Sequence, residues 1–204
     1  MKNLLLGFDV LGEPERMGRR VWDEQERQKF LLHPEIRLPV SVDRLICPSI
    51  FQPGGHRDGN LAGEKNVNIL GLWDNAALML KWVEQRPKMK ELIRFPVAVQ
   101  LISSPGSSDP MWDTISGQDT EPPTPSQEWD RLGYDVADRG PTSALSNCSY
   151  TSEEMAEARR RWGNCINQSG LLEKLEDALL VTSFSDVRVP EHKPFFVYEI
   201  FRIA

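Results

Sequence analysis

The chain predicts an α+β fold: one domain with a largely antiparallel sheet and helices packed on one face. Three observations carry this. Apolar runs with two-residue alternation occur at both ends and in the middle of the chain, and stretches with three-to-four-residue apolar spacing lie between them. The two kinds do not follow one another as β-α-β units with short connections, which a parallel sheet requires. The length of 204 residues suits a single domain able to bury a core without disulfides or metals.

Residues 3–10 open the chain as a strand, with Leu4, Leu6, Phe8 and Val10 on one face. From Glu15 to Leu32, Trp22, Glu26, Lys29 and Phe30 fall at helical spacing, and Pro34 ends the pattern. Leu38 to Ile50 holds V-S-V and R-L-I-C between Pro39 and Pro48, which predicts an edge strand or extended segment. Pro53 to Gly63 reads as a polar, glycine-rich loop. A helix is expected over Leu72 to Gln85, with Trp73, Ala76, Ala77, Leu80 and Val83 as its apolar stripe and Pro87 beyond its end. Phe95 to Ser103 is the clearest central strand.

Residues 103–127 then change character. They are rich in Pro, Ser, Thr, Gly and Asp, which supply no core, so a long loop or insertion is expected, with Trp112 and Ile115 able to dock. Leu132 to Val136 reads as a short strand. Thr151 and Glu154 have the spacing of a capping box, followed by Met155, Ala158, Trp162 and Ile166 on one helical face. A further helix is expected from Leu171 to Leu180, burying Leu171, Leu172, Leu175, Ala178 and Leu179. Pro194 to Ile203 closes the chain as a strand.

Charge narrows the function classes. The chain carries 24 Lys and Arg against 30 Asp and Glu, a net charge of -6, which argues against a nucleic-acid partner. The amino-terminal apolar run is interrupted by Asp9 and falls short of a signal-peptide core or a membrane span. Cys47, Cys148 and Cys165 are widely spaced and lack a C-x-x-C, so reduced thiols in the cytoplasm are the expectation.

Few residues have the spacing of known chemistry. Gly54 and Gly59 have the gap of a phosphate loop, yet Asn60 and Leu61 stand where a Lys and a Ser or Thr are needed. His56 and Arg57 in that loop remain candidates for contacting a partner or an anionic group. His33, His56 and His192 lack the spacing of a metal site, and no cofactor is expected. Asp135 and Asp138 would lie on opposite faces of a strand, as a solvated and a turn-forming aspartate, and converge only if the chain turns after Val136. Cys148, ahead of the Thr151 cap, could act as a nucleophile with His56 or His192 as base and Asp135, Asp138 or Asn147 as orienter; a small buried thiol is the simpler reading. Of the six tryptophans, Trp22, Trp73 and Trp162 fall on helical stripes, whereas Trp82, Trp112 and Trp129 are better placed for an interaction surface.

The segments L-G-Y-D-V-A-D, S-A-L-S-N-C-S-Y-T and V-P-E-H-K-P-F-F-V-Y-E-I resemble an uncharacterised family of bacterial proteins over the C-terminal third of the chain. That resemblance implies no activity and no site residues. In general character, acidic and without a catalytic signature, the chain is similar to immunity proteins of bacterial toxin systems. The leading expectation is thus a non-enzymatic, cytoplasmic protein-binding module that occludes a partner such as a basic toxin domain. His56, Arg57, Trp112, Trp129, Asp135 and Asp138 are its candidate binding residues, and electrostatic attraction would speed capture. The alternatives are a hydrolase-type enzyme with a site around Asp135, Asp138, Asn147 and Cys148, and a structural or regulatory subunit of a larger assembly.

Overall fold

A computed structural model describes residues 3–12, 32–33, 40, 42–45, 72–85, 87, 93–102, 128–138, 142–146 and 150–204. The expected helix at 15–32 lies outside the described residues except for Leu32, and the expected loops at 53–63 and 103–127 lie outside them entirely. Four strands form one antiparallel sheet: β1 (Asn3–Gly12), β2 (Ile93–Ile102), β3 (Asp130–Ala137) and β4 (Phe196–Arg202), in the order β1-β2-β4-β3. The closing strand of the chain is therefore internal. That explains why F-V-Y-E-I-F is apolar at nearly every position: Phe196, Tyr198 and Ile200 face one way, Val197 and Phe201 the other, and all are buried.

Side chains on one face of the sheet, among them Val97, Val99, Leu101, Tyr198 and Ile200, pack with Val40, Val42, Leu45, Leu72 and Leu171. The opposite face carries the longer helices in two groups. At one end α2 (Ala76–Glu84) sets Met79 against Phe8, Ala98 and Phe201. At the other, α3 (Ser152–Trp162) and α4 (Leu175–Arg188) set Met155, Ala158, Trp162, Ala178 and Val181 against Ile102, Val136 and Val197. The α+β prediction holds. The four-residue helix α1 (Val42–Leu45) alone among the described helices lies on the first face.

Three elements differ most from the sequence reading. The segment expected to be extended after Pro39 turns helical at α1, where the Val42 amide donates to Asp135 Oδ2 at 2.7 Å. A carboxylate from a distant strand satisfies one of the amides that a helix start leaves unpaired. Helix α2 starts at Ala76 instead of Leu72, because Asn75 caps it, accepting from the Leu78 amide at 3.2 Å. Trp73 is drawn into a bridge on the β1 edge, donating to and accepting from Phe8 at 2.8 Å.

The last helix is displaced the most. Leu171 and Leu172 are not helical; Leu172 bridges Tyr134 on the β3 edge, with both hydrogen bonds at 2.8–2.9 Å. Helix α4 then runs through V-T-S-F-S-D-V-R to Arg188. The Thr182, Ser183 and Ser185 hydroxyls donate to the carbonyls of Ala178, Leu179 and Val181 at 2.9, 3.0 and 2.8 Å, so these side chains are satisfied inside the helix. Leu179, expected to be buried, is 39% exposed. The capping box at α3 forms as expected: the Glu154 amide donates to Thr151 Oγ1 at 3.3 Å and the Thr151 amide to Glu154 Oε2 at 2.9 Å.

Candidate functional site

His56, Arg57, Trp112, Asn147 and Cys148 lie outside the described residues. Trp129 is half-buried beside β3, its ring 5.7 Å from that of Phe8 and 5.9 Å from that of Phe201. Trp82 is half-buried as well, tilted on Trp73 with ring centroids 5.8 Å apart. Both packings extend the apolar cluster under α2.

Asp135 lies within β3, opposite Tyr198, and Asp138 lies one residue past the strand's end. Both reach the same returning chain. Past Asp138 the backbone comes back along the outer edge of β3, with an Ala137–Ser143 bridge and the Ala144 amide on the Val136 carbonyl at 2.7 Å. Asp138 holds this return: its Oδ1 accepts from the Thr142 amide at 2.7 Å, and its Oδ2 meets His192 Nδ1 at 2.5 Å. The turn-forming role expected of Asp138 is thus what its geometry provides, with His192 added from the connection between α4 and β4.

Asp135 is fully buried instead of solvated. The Ser143 hydroxyl donates to its Oδ1 at 2.6 Å, the Val136 amide to the same oxygen at 2.8 Å, and the Val42 amide to Oδ2 at 2.7 Å. Three donors on one carboxylate fix the ends of α1, β3 and the return together. This is an anchor whose accepting capacity is largely used within the fold.

Cys165 follows α3 in a short 3-10 turn and is half-buried. Burial pushes its thiol above the ordinary cysteine value, and the Asp177 carboxylate adds to the shift. Both effects disfavour the thiolate that nucleophilic chemistry needs. Among the described residues no group of three or more His, Cys, Asp or Glu side chains is placed to hold a metal ion.

The polar constellation that the sequence reading missed crosses the sheet itself. On the face that carries the longer helices, register places Gln100 of β2 opposite Glu199 of β4, and Glu199 opposite Tyr134 of β3. All three are buried, and Tyr134 belongs to the cluster under α3 and α4. Arg131 reaches in from the exposed end, its Nη1 donating to the Tyr134 hydroxyl at 2.8 Å and its guanidinium carbon 5.1 Å from the ring centroid. The Tyr134 hydroxyl also hydrogen-bonds Glu199. Burial holds the Glu199 carboxyl above its usual range; the Tyr134 hydrogen bond and the Arg131 charge pull the other way and are outweighed. Burial and the Glu199 charge together raise the Tyr134 phenol.

Gln100 is 4% exposed, and its Oε1 has no hydrogen-bond partner among the described residues. A signal for this row does exist in the chain. In F-P-V-A-V-Q-L-I and F-F-V-Y-E-I-F a single Gln and a single Glu interrupt runs that are otherwise apolar on both faces. Such a residue is either paired across the sheet or held for a ligand.

No family model, curated protein or solved structure matches this chain. No helix among the described residues is long and apolar enough to cross a membrane.

Proposed function

We propose that the protein is a non-enzymatic binding module that captures a basic protein partner through the outer face of α4. The observation that carries this reading is the exposure of Leu179, Leu180 and Val187, at 39%, 58% and 75%, on one helix. Spaced at i, i+1 and i+8, these side chains share the side of α4 turned from the sheet, while Ala178, Val181 and Ser185 face inward. Exposed clustered apolar side chains on a helix are typical of partner surfaces.

Charge selects the kind of partner. In the sequence just before Leu179 and Leu180, Glu173, Glu176 and Asp177 stand against Lys174. At the far end the Arg161 and Arg188 guanidinium groups are both engaged by Glu157. The local balance is acidic, as is the net charge of -6 of the whole chain, and both favour a basic surface. A cytoplasmic immunity protein holding a basic toxin domain is the concrete form of this reading.

Site-specific photo-crosslinking in the source cells tests it. With a crosslinking amino acid in place of Leu180, we expect one dominant adduct with a protein of basic surface, absent when the crosslinker replaces the exposed Glu153 on α3. An adduct only with a second copy of the chain, or adducts alike at both positions, would overturn the reading.

A hydrolase reading has one observation in its favour, the Asp138–His192 pair, in which the carboxylate can orient an imidazole as a general base. Asp135 adds nothing to it, since its oxygens already hold three donors. Under this reading His192→Ala and Cys148→Ala each abolish a turnover that the purified wild-type protein performs.

A further inference from the structure

We propose that the buried row Gln100–Glu199–Tyr134 is a binding site for a small primary ammonium or amidinium compound. The inference is independent of the α4 surface, since the row lies on the sheet and the α4 stripe faces away from it.

The argument begins with what each group lacks. The Tyr134 hydroxyl is engaged on both sides, accepting from Arg131 and hydrogen-bonded to Glu199. A carboxylate can accept several hydrogen bonds, and Tyr134 supplies Glu199 with one. Directly opposite Glu199 on β2, Gln100 Oε1 is buried with no donor among the described residues. Opposed residues of antiparallel strands keep their Cβ atoms about 4.5–5.5 Å apart, so one small group can reach both side chains. The Gln100 amide nitrogen and the Tyr134 hydroxyl are donors of the row itself, and the accepting capacity left over is that of Gln100 Oε1 and of the Glu199 carboxylate. The row also holds a desolvated carboxylate, on which the Arg131 charge acts while its Nη1 donates to Tyr134.

A compound that complements such a row carries positive charge and at least two N–H donors on one centre. An ammonium has three, and an amidinium presents two in a planar fork that matches a carboxylate. An anion finds no such complement, and a neutral hydroxyl supplies a single donor and no charge. The flanks say what the rest of the molecule is like. One step along the sheet lie Ala98 and Phe201, one step the other way Ile102 and Val197, all buried and apolar. Walls of that kind would match a short apolar body on the ligand.

Leaving buried acceptors unmet is costly, whereas an apolar replacement of the same shape is nearly neutral. A Gln at this place in an otherwise apolar strand is accounted for by something that donates to it. An ordered water is the simplest alternative donor, and it would supply hydrogen bonds without charge.

The probes are propylammonium and benzamidinium, with tetramethylammonium as an equal charge without N–H donors and 1-propanol as an uncharged control. Saturable binding of the two probes to the whole protein is expected by calorimetry, with the Gln100 side-chain amide resonance moving on titration. Tetramethylammonium and propanol should leave that resonance in place. Glu199→Gln should weaken binding by at least about tenfold, the cost of a lost charge-assisted hydrogen bond, with its own Tm near that of the wild type. Gln100→Leu provides a second variant with the same expected loss. Leu180→Lys, on the α4 face, should bind both probes normally, so failure here and failure of the partner reading are separable. Equal responses to all four compounds, or binding undiminished in Glu199→Gln, would overturn the site. Wild-type protein indifferent to every probe would leave water as the donor and likewise end the proposal.

Discussion

Tyr134-Asp135 on β3 and Tyr198-Glu199 on β4 are the same kind of dipeptide, paired crosswise: Tyr134 opposes Glu199 on one face of the sheet and Asp135 opposes Tyr198 on the other. Each face thus carries a buried tyrosine beside a buried carboxylate. Yet the two carboxylates are in different situations. Asp135 receives two backbone amides and a serine hydroxyl from three parts of the chain. Glu199 receives Tyr134 and stands opposite an amide oxygen that receives nothing from the described residues. A buried carboxylate met by the fold's own donors is a structural fastening. One set beside an unmet acceptor has capacity left for something from outside.

The largest effect separating the two faces should come from Asp135→Ala. It strips three donors of their acceptor inside the core, and urea unfolding should show a loss of about 3 kcal/mol or more. A loss below about 1 kcal/mol would place Asp135 in the same class as Glu199 and break the contrast.

Gly133→Ala comes next and probes why the Asp135 side is so tightly held. Gly133 sits at the β3 bulge with φ +142°, and a Cβ there would lie 2.7 Å from the Leu172 carbonyl oxygen and 2.8 Å from Leu171 Cβ. The segment it would displace is fastened by Asn167, whose Nδ2 donates to the Leu132 carbonyl at 2.7 Å. Strain of this kind predicts a loss of roughly 2 kcal/mol, read by thermal unfolding. An unchanged Tm would mean that the 166–172 segment moves freely against β3.

The smallest effects belong to the Glu199 side. Gln100→Leu replaces an unmet acceptor by an apolar group and should change stability by less than about 1 kcal/mol, in either direction. A loss as large as that of Asp135→Ala would show that Gln100 is held by the fold after all.

The sign of the Glu199 contribution with pH is also determined. Its folded-state value lies above the ordinary 4.5, so the charged form opposes folding at neutral pH. As pH falls through the raised value toward 4.5, protonation relieves that cost and stability rises by this group's share. Tyr134, Arg131 and Gln100 are the groups facing it, and the raised Tyr134 phenol keeps its proton throughout that window. The difference between wild type and Glu199→Gln in unfolding free energy should therefore shrink on acidification. A difference that grows would mean that Arg131 and Tyr134 outweigh burial.

Local patterns carried much of the fold. Alternation over residues 3–10 and 95–103 placed β1 and β2 to within a few residues, and Thr151 with Glu154 marked the start of α3, because both signals act between neighbours in the chain. The single-residue exceptions had longer-range causes. Helix α1 forms where Asp135, 93 residues away, meets the Val42 amide. Ser143, with nothing in its local sequence to mark it, becomes the partner of Asp135 because the chain folds back along β3. The T-S-F-S stretch looks unlike a helix until its hydroxyls are seen to bond within one.

From the sequence alone followed the four strands, the helices α2 and α3, the antiparallel class and the turn-forming part of Asp138, since each depends on propensity, period or a contact a few residues away. The tertiary structure alone decided which carboxylate is satisfied and which is not. Gln100, Tyr134 and Glu199 are brought together by strand register, and register is settled by which faces must be buried across the entire sheet.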